Sequence, residues 1–193
     1  WQAVFNFATL DLSAFYFDVR KDALYCDGDT LRRRAARTVL DLLFQRLTTW
    51  LAPILVFTME EVWLERNPGA DASVHMADFP ATPADWRNDA LAAKWAGVRA
   101  ARRAVTAALE VQRTDKVIGA SLEAAPVVHV EDDALRAALQ SVAFEDLCIT
   151  SDIAVTADTA PAEAFRLPEV AGVGVVFEKA AGDKCHRCWK VLP

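Results

Sequence analysis

Residues 29–50 read DTLRRRAARTVLDLLFQRLTTW, and the reading of this stretch decides the architecture. Asp29 or Thr30 can cap a helix, because a short oxygen-bearing side chain accepts a hydrogen bond from a first-turn amide. Past that cap Leu31, Ala35, Val39, Leu42, Leu43 and Leu47 recur at helical spacing, and Leu40 and Phe44 widen the stripe they form. So broad an apolar face predicts a helix packed on more than one side, as in a bundle, running to about Trp50. Pro53 ends or bends it, since proline has no amide for the helix ladder.

Working outward, residues 5–25 read as an amphipathic helix on Leu12, Phe15, Tyr16, Val19 and Ala23, broken by Asp27-Gly28-Asp29. A third helix is expected from about Phe57 to Glu65 and is closed by Asn67-Pro68-Gly69. Residues 67–89, with Pro68, Pro80 and Pro83, read as a long surface connection. Asp89 then caps a fourth helix, from Ala90 to about Arg113, whose core face is Leu91, Trp95, Val98, Val105 and Leu109. Beyond it the texture changes. Val127 to Val130, Asp146 to Thr150, Ile153 to Thr156 and Val173 to Phe177 are short and β-branched, which predicts strands, and Ala134 to Gln140 fits a short helix between the first two. The expectation is a mainly α chain: an antiparallel helical bundle over 1–113, a small α+β domain with an antiparallel sheet over 114–180, and a truncated zinc knuckle over 181–193.

Composition narrows the function classes. Of 193 residues 53% are hydrophobic and only 7 are glycine, which permits a packed core and leans towards helix. The longest apolar candidate for a membrane span, Leu51 to Met59, contains Pro53 and runs into Glu60 and Glu61. Trp1 opens an amphipathic stretch with no cationic segment before it, so no signal peptide is expected, and a start without methionine suggests a fragment or processed product. A net charge of -6 opposes a nucleic-acid role, although it constrains a local patch only weakly. Without a secretory signal the four cysteines do not read as a disulfide framework, and Cys26 and Cys148 are expected to pack as small hydrophobes.

Few residues remain that could carry chemistry. Arg32, Arg33, Arg34 and Arg37 crowd the first turns of the second helix, where cations oppose the helix dipole and an acid would be the stabilising choice. With backbone amides at the same end, the cluster suits phosphate. A solvated face paired with Asp22, Asp27 and Asp29 is the alternative. A second set, Arg99, Arg102 and Arg103, reads as an ordinary solvated face, with the Arg102 stem laid along the apolar stripe. Cys185-His186-Arg187-Cys188 supplies two thiolates at zinc-knuckle spacing, half of a closed structural site. Trp189 beside it is either a stacking platform for a base or a packed side chain, whereas Trp1, Trp50, Trp63, Trp86 and Trp95 read as core. Glu60-Glu61 read as first-turn acids. No glycine-rich phosphate loop is present, and His75, His129 and His186 form no triad with neighbouring nucleophiles, so no catalytic residue is assigned.

Several of these stretches together resemble one family. Residues 15–25, FYFDVRKDALY, which include Lys21, resemble the F-Y-x-D-x-x-K-D-x-x-Y segment of isoleucyl-tRNA synthetases, and Leu31 to Ala36 resembles their R-R-A segment. Leu51 to Leu55, Phe57-Thr58, Glu60-Glu61 and Trp63 resemble L-A-P-I-L-x-F-T-x-E-E-x-W, shared more loosely with the valyl and leucyl enzymes. Lys116 to Ala124 resembles the K-x-I-G-x-S-L-E-A loop, and Gly182 to Trp189 the start of the carboxy-terminal zinc segment of the bacterial enzymes. The Cys-x-x-Cys-Trp end argues against a valyl or leucyl parent.

The resemblance implies the anticodon-stem-binding region of a cytoplasmic, monomeric ligase that joins isoleucine to its tRNA through an adenylate. ATP and Mg2+ would serve a catalytic domain lying upstream of Trp1, and Zn2+ would need a second cysteine pair beyond Pro193 to complete the site begun by Cys185 and Cys188. The implied partner is isoleucine tRNA, held at its anticodon stem and loop by Arg33 and Arg34, with Arg32, Arg37, Lys21, Lys116 and Trp189 as further candidates; neither DNA nor a membrane is a partner. The competing reading is a helical protein-interaction module with a vestigial metal knuckle, which the acidic net charge favours.

Overall fold

A computed structural model of the chain describes residues 1–69 and 71–193. It divides into two compact units, one of residues 20–87 and one of residues 1–19 with 88–193. Helix dominates and the sheet is small, as a mainly α chain requires. The amino-terminal helix runs through α1 (Gln2–Asn6), a π-wound stretch (Phe7–Phe17) and α2 (Asp18–Tyr25). Its expected apolar face is realised: Leu12, Val19 and Ala23 are buried, and Phe15 and Tyr16 are half-buried.

Within residues 20–87 the long helix is α3 (Leu31–Leu51), capped by Thr30, whose Oγ1 accepts from the Arg33 amide at 3.2 Å. Pro53 follows its end, and α4 (Val56–Arg66) packs back on α3, with the Phe44 and Trp63 rings stacked at 6.0 Å. The apolar stripe read along α3 is only partly covered. Leu31 is 76% exposed and Val39 is exposed, while Arg46, Thr48 and Thr49 are buried. The two threonine hydroxyls donate to the Phe44 and Gln45 carbonyls one turn back, which makes their burial tolerable.

Residues 67–89 are more than a surface connection. Ser73 Oγ and the Val74 amide both donate to the Glu60 carboxylate, at 3.0 and 2.9 Å, and Val74 is buried. Glu60 is therefore a clamp on the connection and not a first-turn acid; α4 begins at Val56, and its first turn carries no acid. Further along, Arg46 donates to the Ala81 carbonyl at 2.9 Å and lies 4.6 Å from the Trp86 ring centroid. Trp50 and Trp86, read as core, are exposed, and so is Trp1 in the other unit.

Residues 88–193 begin with α5 (Asp89–Thr114), capped by Asn88, one residue before the expected cap, through a 2.8 Å bond from the Leu91 amide to Oδ1. Its buried face is Val98, Ala101, Ala104, Val105, Ala108 and Leu109, whereas Leu91 is exposed. The sheet has the order β2 (Ala154–Thr156), β1 (Val127–Val130), β3 (Val173–Val176). β1 and β3 are antiparallel but β1 and β2 are parallel, so the expected antiparallel sheet is corrected to a mixed one. Two strands can run parallel only if the chain crosses over between them, and α6 (Asp133–Gln140) and α7 (Phe144–Cys148) make that crossover. α7 replaces the strand expected at Asp146 to Thr150. Phe144, Leu147 and Cys148 are buried at helical spacing, and Glu145 and Asp146 occupy the first turn where acids suit the dipole. Cys148 packs as expected, and its burial pushes the thiol pKa far above the ordinary range. Cys26 is half-buried. Among the described residues no helix is long and apolar enough to cross a membrane.

The Arg46 contacts generate a prediction for the smaller unit. Arg46→Ala removes two backbone-directed hydrogen bonds from a charged donor that is only 8% exposed. Such bonds contribute about 1.5–3 kcal/mol, so urea unfolding followed by circular dichroism should show a loss of that order. Arg46→Met, which retains the stem's packing, should recover part of it.

Candidate nucleic-acid interface

The capped start of α3 fixes where the arginine side chains emerge. The Arg33 amide is engaged by the Thr30 side chain and the Arg34 amide by the Thr30 carbonyl, so the helix head is closed on itself. Arg33 is half-buried; its Nη1 donates to the Asp27 carbonyl at 3.4 Å, and its Nε is buried without a hydrogen-bond partner. Arg34 pairs with Asp29 at 3.1 Å, both side chains being well exposed. Arg34 thus meets an acid, as the alternative reading has it, whereas Arg33 meets the Asp27 backbone carbonyl and not its carboxylate. An exposed pair of this kind contributes about 0–1 kcal/mol and is easily exchanged for another anion. Arg37 is exposed, and among the described residues it has no ion-pair or hydrogen-bond partner. Arg32 is half-buried beside the apolar stripe, and Lys21 is exposed on α2.

Arg34 and Arg37 share a depression of about 720 Å3 with Thr38, Leu40, Asp41 and Arg66. Arg66, in the last turn of α4, was not singled out from the sequence. The available signal was its position beyond an apolar helix face, at the end where a cation suits the dipole.

The second basic set has a structural job. Arg99 pairs with Asp11 at 2.6 Å and lies 5.0 Å from the Phe15 ring centroid. Arg102 Nε donates to the Leu147 carbonyl at 2.6 Å, with its guanidinium 5.2 Å from the same ring. Only Arg103 stands on an exposed face as read. Lys116, with φ at 60°, lies in a separate depression of about 360 Å3 with Arg113, Gly119 and Glu110.

The cysteine pair sits in a small hairpin of β4 (Asp183–Lys184) and β5 (Val191–Leu192). The Cys185 amide donates to the Lys190 carbonyl at 2.8 Å and the Trp189 amide to the Cys185 carbonyl at 3.0 Å, closing the turn. Lys190 pairs with Asp146 at 2.7 Å and the Val191 amide donates to Ser151 Oγ at 2.7 Å, which ties the hairpin to the sheet unit. Trp189 has φ at 65° and is 63% exposed, with Lys184 Nζ 5.6 Å from its ring centroid. Amides within the turn, that of Cys188 first and then that of Arg187, hold the Cys185 thiol below its usual pKa. Cys185 and Cys188 lie three residues apart on one turn, and thiol sulfur is a donor type that zinc accepts. Among the described residues no group of three or more possible metal ligands comes together.

Gly182 makes this hairpin possible. Its φ is +117°, and a Cβ there would lie 2.0 Å from the Leu192 carbonyl oxygen. Gly182→Ala should open the β4–β5 pairing while leaving the rest of the unit folded. Hydrogen exchange should then accelerate at the Cys185 and Trp189 amides and stay unchanged at Val128.

Comparison with known proteins places these features in a family context. Residues 1–129 match the family described as the anticodon-binding domain of tRNA ligase. The whole chain is 74% identical to an isoleucine–tRNA ligase of Ruegeria pomeroyi, covering 20% of that protein. It is 56% identical over 98% of its length to the isoleucine–tRNA ligase of Agrobacterium fabrum, again 20% of that protein, and 52% identical to that of Mesorhizobium japonicum, covering 19% of it. The chain therefore spans about a fifth of the length of the curated relatives it matches.

Proposed function

We propose that this chain, which belongs to the anticodon-binding domain family of tRNA ligases, holds the anticodon arm of isoleucine tRNA while ATP-dependent aminoacylation takes place in other domains of the ligase. The observation that carries the reading is the row of guanidinium groups presented by α3 inside the family-matched residues. Arg33 and Arg34 are held only by a carbonyl and an exposed carboxylate, and Arg37 stands ready for an anion. Such contacts position an RNA without reading its sequence; bases are discriminated elsewhere. Lys21, Arg32 and Lys116 are further backbone candidates, and the exposed face of Trp189 supports stacking on a base.

In this reading residues 1–113 form the antiparallel helical bundle on the anticodon stem, 114–180 a junction domain, and 181–193 the first half of a zinc segment. Zinc would cross-link two stretches of chain, with Cys185 and Cys188 as its ligands from this one. The parent is a cytoplasmic monomer, and neither DNA nor a membrane is among its partners. ATP and Mg2+ belong to the catalytic domain, and no residue here is assigned a catalytic role. The net charge of -6 favours the competing interaction-module reading, and retention of isoleucine tRNA on filters separates the two.

Two outcomes are expected. In the full-length ligase, replacing both Arg33 and Arg34 with alanine should flatten the dependence of log affinity on log salt by about one to two units, since each phosphate contact contributes about 0.7 to 0.9. Affinity should fall more than discrimination among tRNAs, and an unchanged slope returns the cluster to a solvated face. For the purified chain, elemental analysis should find less than one zinc per molecule, because a closed structural site takes four ligands. One tightly held zinc per chain would require ligands beyond Cys185 and Cys188.

A further inference from the structure

The depression that Arg34 and Arg37 line draws its residues from α3 and α4 together. Arg66 comes from a different helix than Arg34 and Arg37, yet its guanidinium faces the same space. It lies 5.0 Å from the centroid of the Phe44 ring, which is itself stacked on Trp63 at 6.0 Å and 12°. Two stacked rings form a rigid shelf, and a guanidinium laid over an aromatic face keeps its edge donors free to act in one plane. One of those edges is taken by Asp41, with which Arg66 forms an ion pair. Asp41 is itself steadied from its own helix by the Gln45 side-chain amide, which donates to the other carboxylate oxygen at 3.4 Å.

Charge in the depression is unbalanced. Three guanidinium groups line it against one carboxylate, in a molecule whose net charge is -6. Arg34 has Asp29 as an exposed partner outside the lining and Arg66 has Asp41 within it, so Arg37 is the guanidinium of the three that no carboxylate offsets among the described residues. Leu40 is the one apolar side chain of the lining, too little to enclose a base or a hydrophobic ligand. An open, cationic concavity with planar bidentate donors suits a phosphodiester on a polymer backbone.

We propose that this depression seats one phosphate of the RNA backbone between Arg37 and Arg66, with Asp41 as the residue that positions Arg66 and competes with the phosphate for it. The inference rests on the anticodon-arm reading and extends it to a second helix. Arg66 is then a further RNA-binding residue. Asp41 is a built-in counter-ion that holds the guanidinium on its aromatic shelf when no RNA is present.

Filter binding of isoleucine tRNA to the full-length protein across a potassium chloride series tests this. Arg66→Ala should flatten the log–log slope by about 0.7 to 0.9, the value of one phosphate contact. Asp41→Asn, which keeps one side-chain oxygen as an acceptor but removes the competing charge, should steepen it and tighten binding. Arg103→Ala, which removes an exposed cation elsewhere, should leave the slope as it is. Wild-type slopes in both Arg66→Ala and Asp41→Asn, beside a flattened slope in the Arg33 and Arg34 double variant, overturn the seat and leave the anticodon-arm reading intact. Unchanged slopes in all of them overturn both. Should Arg66→Ala disturb α4 by circular dichroism, Arg66→Lys and Asp41→Asn decide: the lysine should keep the slope but weaken binding, and an unaltered Asp41→Asn slope sinks the proposal.

Discussion

The α5 stripe of Val98, Ala101, Ala104, Val105, Ala108 and Leu109 is the burial on which the larger unit depends. Half of it is alanine, which lets the helix axis approach the sheet and lets valines from β1 and β3 fill the space between, since close packing tolerates few voids. Val128, Val130, Val173 and Val175 supply that filling and are themselves almost wholly buried. Phe144, Leu147 and Cys148 of α7 and Leu139 of α6 close the same core from the crossover between β1 and β2. The parallel pairing of those strands is therefore a consequence of packing. The crossover must place two short helices against α5, and that fixes the direction in which β2 returns.

The smaller unit is built on a different balance. Its two main helices bury little aliphatic surface, and long polar side chains do much of the joining. Glu60 takes two donors from the returning chain, and Arg46 reaches a carbonyl and the Trp86 ring. Charged hydrogen bonds of this kind are directional where hydrophobic burial is not, so they set the path of residues 67–87 without a large core. They also leave the solvent-facing side of α3 free to be cationic. A helix whose stability came from its surface would not carry three successive arginines in its first turn, where they oppose the dipole.

That local excess of positive charge sits in an acidic molecule, and the two facts are compatible. Screening confines an exposed charge's influence to about 8–10 Å at physiological salt, so a patch is felt by a ligand touching it and net charge is felt only beyond. Asp29 pairs with Arg34 of the cluster, and Asp41 pairs with Arg66 across the same depression. In the proposed reading they would lower the affinity of the patch for any passing anion, while a polyanion that displaced several such pairs at once would be favoured.

Five helical stretches, their order and the place of the thiol turn are legible in the sequence. Capping residues, helical periodicity and proline breaks are local signals, and those at Thr30 and Pro53 lie where the chain turns. The arginine cluster and the cysteine pair were legible for the same reason, being contiguous. Tertiary structure alone decided the rest. Phe144 to Cys148 carries both a β-branched neighbour and a helical burial pattern, and the core against α5 selected the helix. Arg99 and Arg102 look solvated in one dimension and are structural because Phe15 and Leu147 come to them from distant parts of the chain. Glu60, Arg46 and Arg66 likewise gain their roles from partners across a turn or a loop. A hydrogen bond or ion pair between elements depends on which faces meet, and that is settled by the packing of the whole unit, which no local pattern records.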